Sequence, residues 1–272
     1  MYRVLGIFLL ALLGLAGLAV ADDDDFVMGN YQGEFSGSGW EDRSIRAEVA
    51  AMSVIRYRVV FYIGAEGAGE QRVEITRGRK RGGDSEETPK DLEEMRRKAI
   101  VDFEGEVDLG PAFGGKYTIS GSIERETFTG VFKGASGEGA FTLKRVFIEP
   151  PTLGLAPPEG AIVLLDGTNL DAWAPCPHWR IQSGGALQVQ GSDIHTLQQF
   201  GDAQYHLEFK CPFMPSASGQ ARGNSGVYVM GRYEVQVLDS FADLPMDNRC
   251  GGIYKQAAPI VCASLPPLQC QT

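Results

Sequence analysis

The chain has 272 residues, of which 43% are hydrophobic and 10% aromatic, and it contains 35 glycines. This composition is typical of a globular protein and excludes collagen-like and low-complexity chains. Acidic residues outnumber basic ones by 35 to 25, which gives a formal net charge of −10. Because that charge disfavours nucleic acid and anionic membrane surfaces as partners, a neutral or cationic ligand is favoured.

The first 21 residues have the pattern of a secretory signal peptide. Arg3 precedes an unbroken apolar run over 4–20, and Ala-Val-Ala at 19–21 supplies the small residues that signal peptidase accepts. The alternative is a membrane anchor, but the run is shorter than the ~20 residues that a spanning helix needs. We therefore expect cleavage after Ala21, a secreted or periplasmic protein, and no stable membrane span after cleavage.

A change of composition divides the mature chain near residue 150. Residues 22–150 carry 25 acidic and 18 basic side chains, whereas 151–272 carry 10 and 6 and contain all the histidines and cysteines. The proline-rich stretch 150–158 is unsuited to a helix or a central strand. The sequence thus predicts a β-rich N-terminal domain at 22–149, an extended linker at 150–158 and a second domain at 159–272.

The N-terminal domain has the alternating pattern of β-strands. Runs rich in β-branched and aromatic residues, separated by glycine-rich turns, lie at 56–63, 116–120, 127–132 and 140–146. They predict a meander or a small β-barrel. One helix is predicted at 88–98, with Thr88 as its N-cap and Pro89 in its first position.

The second domain is also predicted to be built from strands. We expect a strand ending in a turn at 161–173, a hairpin at 179–189, and strands within 200–210, 223–229 and 231–240. Since alternate side chains of a strand share a face, Glu234 and Gln236 should line a cleft, and His206 and Glu208 should form a second polar stripe. If both strands belong to one concave sheet, the four side chains converge. The alternative for each is an ordinary solvent-facing position.

The order of motifs in this domain resembles the 3-keto-disaccharide hydrolase family, also described as 3-keto-glucoside 1,2-lyases and 3-keto-2-hydroxyglucal hydratases. The motifs are LLDGTNLDAW, FGDAQYHLEF, GNSGVYV and GRYEVQVLDS, and the resemblance extends from about Glu159 to the end. It implies an all-β chain in which the small N-terminal β domain precedes a concanavalin-like jelly-roll β-sandwich. Family members usually continue past the position of Thr272, so we expect the jelly roll to be incomplete.

The resemblance also implies a reaction, namely cleavage of 3-keto-glycosides outside the cytoplasm by elimination across C1–C2 and hydration. Such a reaction needs a general base, for which Glu234 or His206 is expected. It also needs an electrophile, either Arg232 or a divalent metal ion held partly by Glu208 and Asp239. The side chains expected to bind the small-molecule carbohydrate are Gln236, Asn224, Ser225, Tyr254 and Trp173. Apart from that metal ion, the resemblance implies no cofactor, and no nucleic acid is expected as a partner.

The cysteines offer no metal or redox motif, because no Cys-x-x-Cys pair is present. Their odd number permits at most two internal disulfides in an oxidising compartment. Cys250 and Cys262 are close in sequence and are the expected pair, and Cys270 is the expected free thiol. The others are Cys176 and Cys211.

Three functions remain open at this stage. The first is the hydrolase or lyase described above. The second is a non-catalytic carbohydrate-binding jelly-roll module, because the same fold serves both purposes. The third is an inactive fragment of a longer enzyme. Turnover of a 3-keto-glycoside separates the first from the other two.

Overall fold

The structure is a computed structural model that describes residues 27–37, 43–53, 55–65, 69–81 and 99–272. The expected signal peptide and the helix predicted at 88–98 lie outside these ranges. Within them the regular structure is β-strand, with 3₁₀ turns at Pro111–Phe113 and Gly219–Ala221, so the all-β expectation is confirmed. None of the helical turns described is long and apolar enough to cross a membrane.

The described residues form two compact units. The first, called the barrel unit below, comprises 27–148 and Pro212–Pro267. The second unit comprises Glu149–Cys211 and Leu268–Thr272. The proline-rich stretch lies in the second unit and contains a turn closed by a hydrogen bond from Leu153 N–H to Pro150 O (3.1 Å). The domain boundary placed on this stretch stays a prediction.

Eight antiparallel strands of the barrel unit close into a barrel in sequence order, with β1 paired to β8. They are β1 (Gly29–Ser36), β2 (Arg43–Ala51), β3 (Arg56–Ala65), β4 (Gly69–Lys80), β5 (Ile100–Asp108), β6 (Lys116–Glu124), β7 (Thr127–Gly134) and β8 (Gly137–Val146). The four runs predicted from alternation lie in β3, β6, β7 and β8. The predicted small β-barrel is therefore confirmed.

The barrel interior is filled by aromatic and aliphatic side chains from alternate positions along the strands. Phe61 is fully buried, and its ring centroid lies 5.4–6.0 Å from those of Phe103, Phe128, Phe132 and Phe141. Edge-to-face and tilted pairs at these distances stabilise a core beyond the burial of their area. Gly130 lies against the Phe141 ring, and a Cβ there would lie 2.6 Å from that ring, so the core is packed up to the backbone.

The segment Pro212–Pro267 is anchored to the barrel within the same unit. Phe241 and Ala242 belong to the buried hydrophobic cluster of the barrel. Arg58 Nη2 donates to Asp243 Oδ1 at 2.7 Å, and Arg72 Nη2 donates to the Ala242 carbonyl at 3.0 Å. Two barrel arginines thus hold the backbone and carboxylate that flank the buried Phe241 side chain.

This segment also contains a hairpin of β12 (Ser225–Val229) and β13 (Tyr233–Val237), the strands predicted within 223–229 and 231–240. The turn between them has Met230 and Gly231 at positive φ (56° and 60°). A second edge contact fixes β13, because Gln236 N–H donates to the Gly252 carbonyl at 2.9 Å. The strand therefore has partners on both sides.

Strand pairing in the second unit is sparse. The hairpin predicted at 179–189 is confirmed as β9 (Arg180–Ile181) paired with β10 (Leu187–Gln188). The strand expected within 200–210 is wrong except for β11 (Phe209–Lys210), because only these two residues have a partner strand, β14 (Cys270–Gln271).

The strand expected at 161–173 is also wrong, although the predicted turn is present. Leu164 and Leu165 are buried, but the chain turns immediately after them, where the Asp166 carboxylate accepts from Thr168 N–H (2.9 Å) and the Asn169 amide oxygen accepts from Asp171 N–H (2.9 Å). These local hydrogen bonds compete with strand pairing. The jelly-roll architecture stays a prediction.

Candidate functional site

Buried polar side chains are concentrated in the C-terminal part of the chain. Of those in the described residues, Asn30 alone lies in the barrel strands, and the rest are Glu208, Arg222, Gln236, Asp239, Ser240 and Gln271. A buried polar group needs hydrogen-bond partners, and a cluster of such groups positions side chains firmly. Residues 200–272 therefore contain the best candidates for a functional site.

The β12–β13 hairpin brings one polar cluster together. Its register pairs Gly226 with Gln236 and Tyr228 with Glu234. Alternation places Glu234 and Gln236 on one face of β13, as predicted, and the Gln236 amide lies 3.3 Å from Glu234 Oε1. The shared face is confirmed.

The Glu234 carboxylate is held from two sides. Tyr228 Oη donates to Glu234 Oε2 at 2.9 Å, and the Gln236 amide faces Oε1. Gly226 leaves room for this arrangement, because a Cβ at that position would overlap Glu234 Oε1. The carboxylate thus has a defined position on a partly exposed strand.

Gln236 is 1% exposed and connects Glu234 to two further amides. Glu234 Oε1 and the Ser225 carbonyl, 3.3 and 3.2 Å away, can only accept hydrogen bonds, so the amide nitrogen of Gln236 must face them. The other amide atom of Gln236 then lies 3.0 Å from Gln220 and 3.2 Å from Asn224. The hairpin cluster, meaning Glu234, Gln236, Tyr228, Gln220 and Asn224, is a continuous hydrogen-bonded network.

Two members of the hairpin cluster were not predicted from the sequence. Tyr228 lies directly across from Glu234 in the hairpin register, and cross-strand pairing could have identified it once the strands were aligned. Gln220 lies in a 3₁₀ turn, and no pattern in the sequence places that turn beside β13.

The remaining predicted residues of the barrel unit surround this hairpin in different ways. Arg232 is exposed at the turn, with its guanidinium 5.5 Å from the centroid of the Tyr233 ring. Tyr254 is partly buried, and its N–H donates to the Glu234 carbonyl at 2.9 Å. Ser225 contributes its backbone carbonyl to the Gln236 amide.

Asp239 is almost fully buried and pairs with Arg222, whose Nε lies 2.8 Å from Asp239 Oδ2. Burial raises the pKa of Asp239 above its ordinary value and outweighs the opposing effect of Arg222. Arg222 Nη2 also donates to the Ala51 carbonyl at the end of β2 (3.0 Å). The pair links the hairpin region to the barrel.

His206 and Glu208 form a separate pair in the second unit. Glu208 is 3% exposed, and its Oε1 lies 3.2 Å from His206 Nε2 and accepts from Gly154 N–H at 2.6 Å. A carboxylate at Nε2 favours the tautomer with the proton on that nitrogen, which leaves Nδ1 able to accept a proton. Their convergence with Glu234 and Gln236 stays a prediction.

Trp173, in the same unit, donates its indole N–H to the Leu164 carbonyl at 2.7 Å. Its ring is partly buried. The carbohydrate-binding role expected for Trp173 stays a prediction.

Each of the two predicted metal ligands has partners within its own unit. Glu208 accepts from Gly154 and faces His206, while Asp239 pairs with Arg222. Nowhere in the described ranges do three or more His, Cys, Asp or Glu side chains come together in a group that could hold a metal ion. The metal role predicted for Glu208 and Asp239 stays a prediction, and each step proposed below uses the side chains of this chain alone.

The expected disulfide between Cys250 and Cys262 is wrong for this structure, in which all five cysteines are free thiols. Burial raises the pKa of both thiols. A buried thiol that resists ionisation is a poor partner in thiol–disulfide exchange. Cys270 is also a free thiol, as predicted.

Comparison with known families finds one match, which covers the C-terminal part of the chain. Residues 160–272 match the family of 3-keto-alpha-glucoside-1,2-lyase-like domains. The family resemblance read from the motifs is thereby confirmed. No curated protein and no solved structure matches the chain. The 3-keto-alpha-glucoside-1,2-lyase-like segment contains every predicted site residue, and its family is one of carbohydrate-acting enzymes.

Proposed function

We propose that the 3-keto-alpha-glucoside-1,2-lyase-like segment cleaves 3-keto-glycosides by elimination followed by hydration, with Glu234 as the general base. The observation that carries this proposal is the Glu234 carboxylate held between the Tyr228 hydroxyl and the Gln236 amide, inside a segment that matches this family. A base held at a fixed position is a requirement for efficient proton abstraction.

The chemistry follows from the carbonyl at C3 of the sugar. This carbonyl acidifies the hydrogen on C2, so Glu234 can take that proton while the electron pair of the C2–H bond forms an enolate on C2, C3 and O3. The enolate then expels the group at C1 with its bonding electrons, and that group leaves as an alcohol after protonation. Water adds across the resulting C1–C2 double bond and restores a 3-keto-sugar.

Other hairpin residues have supporting roles in this proposal. The amides of Asn224 and Gln220 extend the network that holds Gln236 and offer donors and acceptors of the kind that bind sugar hydroxyls. Arg232, exposed on the turn between β12 and β13, is proposed to stabilise the negative charge of the enolate.

His206 is the competing base, because Glu208 holds its Nε2 and leaves Nδ1 able to accept a proton. The two bases lie in different units, so single substitutions distinguish them.

The decisive experiment measures turnover of a 3-keto-glucoside by the full chain and exchange of the C2 hydrogen with deuterated solvent. Glu234→Gln removes the charge at nearly constant volume and should lower both rates by about 10²–10⁴-fold, with the fold intact. Glu159→Gln, at an exposed position in the second unit, is the matched control and should leave both rates unchanged.

Each other outcome redirects the assignment. A loss in His206→Gln with a normal rate in Glu234→Gln moves the base to His206. Binding of sugar by the parent chain without any turnover supports a carbohydrate-binding module and overturns the enzymatic proposal.

We also propose that the protein acts outside the cytoplasm, because the charged start, apolar run and Ala-x-Ala site occur together at 1–21. The mature N-terminus should be Asp22 in a secreted or periplasmic fraction. Sequencing of a cytosolic protein that begins at Met1 would contradict this.

A further inference from the structure

A polar cleft of about 400 Å³ lies in the second unit, along the β9–β10 hairpin. Its lining consists of Pro177, His178, Arg180, Gln182, Gln188 and Gln190. The volume falls within the range of small-molecule sites, ~300–1,000 Å³. No lining residue belongs to the hairpin cluster or to the His206–Glu208 pair, so the cleft is a separate candidate site.

Strand alternation explains why these side chains share one face. The register pairs Arg180 with Gln188 and Ile181 with Leu187. Leu187 is buried, which fixes one face of the hairpin inward and leaves Arg180 and Gln188 on the other. Gln182 and Gln190 follow at intervals of two residues and extend the same polar face.

Several contacts hold this face in shape. Gln182 Nε2 donates to Gln188 Oε1 at 3.0 Å, and Gln182 N–H closes the turn on the Ala186 carbonyl at 2.8 Å. The His178 ring packs on Gly191, where a Cβ would lie only 3.2 Å from the imidazole. The cross-strand bond between the two amides leaves the Gln182 carbonyl oxygen and the Gln188 NH₂ group able to bind a ligand.

The chemistry of the lining distinguishes the cleft from the rest of a chain with net charge −10. It combines one guanidinium, one imidazole and three amides, and it contains no carboxylate. A guanidinium recognises a carboxylate with two parallel hydrogen bonds, and amides bind hydroxyl groups as donors and acceptors. We propose that this cleft binds an acidic monosaccharide, with Arg180 paired to its carboxylate and the three glutamines hydrogen-bonded to its hydroxyls.

The test is calorimetric titration of the full chain with D-glucuronate, D-glucose and acetate. Glucuronate should bind more tightly than either comparator, because it alone has both the carboxylate and the hydroxyls. Arg180→Gln should weaken glucuronate binding by about 10- to 100-fold, the effect of losing a charge-assisted hydrogen-bonded pair. Arg56→Gln, which removes the same charge from an exposed position of β3, should leave the affinity unchanged.

A second substitution keeps the proposal testable if Arg180→Gln does not fold. Gln188→Leu retains the guanidinium and should reduce the preference for glucuronate over acetate. Equal affinities for glucuronate and acetate in the parent chain, absence of glucuronate binding, or unchanged binding in Arg180→Gln would each overturn the proposal. Glu234 is not a lining residue of the cleft, so Glu234→Gln should bind glucuronate as the parent chain does. Turnover and glucuronate binding therefore test the catalytic proposal and the cleft proposal independently.

Discussion

The barrel strands and the family-matched segment 160–272 use their buried side chains differently. In the barrel, buried aromatic and aliphatic groups surround Phe61, and Asn30 is the one buried polar side chain among its described residues. In the matched segment, buried positions include Glu208, Arg222 and Asp239, each with a charged or ring-nitrogen partner. Apolar burial contributes most of the folding free energy, whereas a buried polar pair mainly fixes the positions of its two side chains.

The difference separates two kinds of sensitivity to substitution. A core of mutually packed rings loses stability when any one ring is truncated, in proportion to the cavity that remains. In a polar network, removal of one partner leaves the other buried without a hydrogen bond, so the remaining side chains shift from their positions. The barrel should therefore respond in stability, and the hairpin cluster should respond chiefly in activity.

The largest effect is expected at the centre of the barrel. Phe61→Ala should lower the free energy of unfolding by about 3–5 kcal/mol, since Phe61 is fully buried among four other rings. Phe147→Ala is the control, because Phe147 is 66% exposed and should change stability by less than about 1 kcal/mol. Denaturant unfolding measures both. Equal effects of the two substitutions would show that the packed rings around Phe61 do not dominate the stability of the barrel.

The next effect concerns the pair that links the hairpin region to β2. Arg222→Met leaves the Asp239 carboxylate buried without its partner and should lower the free energy of unfolding by about 3 kcal/mol at neutral pH. Because burial already raises the pKa of Asp239, this loss should be smaller in acid, where the carboxyl is neutral, and should grow as pH rises through that raised pKa.

A double variant tests the same pair. Arg222→Met with Asp239→Leu removes both charges and should recover most of the lost stability. A double variant as unstable as Arg222→Met alone would show that the loss comes from packing rather than from the unpaired carboxylate.

An intermediate effect, on activity alone, is expected at Gly226. In Gly226→Ala the new Cβ overlaps Glu234 Oε1, so the carboxylate must move. A displacement of about 1 Å can lower a catalytic rate by about 10²-fold. Gly201→Ala, where nothing lies within 4 Å of the added Cβ, is the matched control. Unchanged turnover of a 3-keto-glucoside in Gly226→Ala would argue against Glu234 as the base.

The smallest effect is a titration on the barrel surface. Burial, then the neighbouring Glu48 carboxylate, raises the pKa of Tyr62 to about 12. The ordinary tyrosine value is about 10, so stability due to neutral Tyr62 is present below pH ~10 and is lost as pH rises toward 12. Between pH 9 and 12, the free energy of unfolding should decrease less steeply with pH in Tyr62→Phe than in the parent chain.

Glu48→Gln separates the two causes. It removes the negative charge of the side chain that accepts a hydrogen bond from the Tyr62 hydroxyl (2.9 Å). The pKa of Tyr62 should therefore decrease, but it should stay above 10 because the ring remains buried. The pKa of Tyr62 is measured from the difference absorbance of the phenolate as the pH is raised. A Tyr62 that titrates at the ordinary value in the parent chain would contradict the expectation.

The fold of the barrel was more accessible to sequence reasoning than that of the second unit. Strands such as β6 and β8 alternate regularly and pair with neighbours in sequence, so period and turn residues were sufficient to predict them. The strand expected around His206 is wrong outside β11, which pairs over two residues with β14, some 60 residues away along the chain. Local pattern does not specify such a distant pairing.

The same distinction holds within the candidate site. Alternation along one strand was sufficient to predict that Glu234 and Gln236 share a face, and both lie on one face of β13. Tyr228 required the hairpin register, and Gln220 required the packing of a loop against a strand. Residues brought together by tertiary contacts are therefore the ones that sequence reasoning missed.

The buried Phe241 has a consequence for modularity. The family match begins at residue 160, yet Phe241 lies in the hydrophobic cluster of a barrel that ends before that boundary. A piece excised at 160 would expose this ring and would leave the Ala242 carbonyl without the Arg72 guanidinium. The unit of similarity and the unit of folding are thus different stretches of chain. Any transplant of the matched segment into another protein must therefore bring the barrel with it.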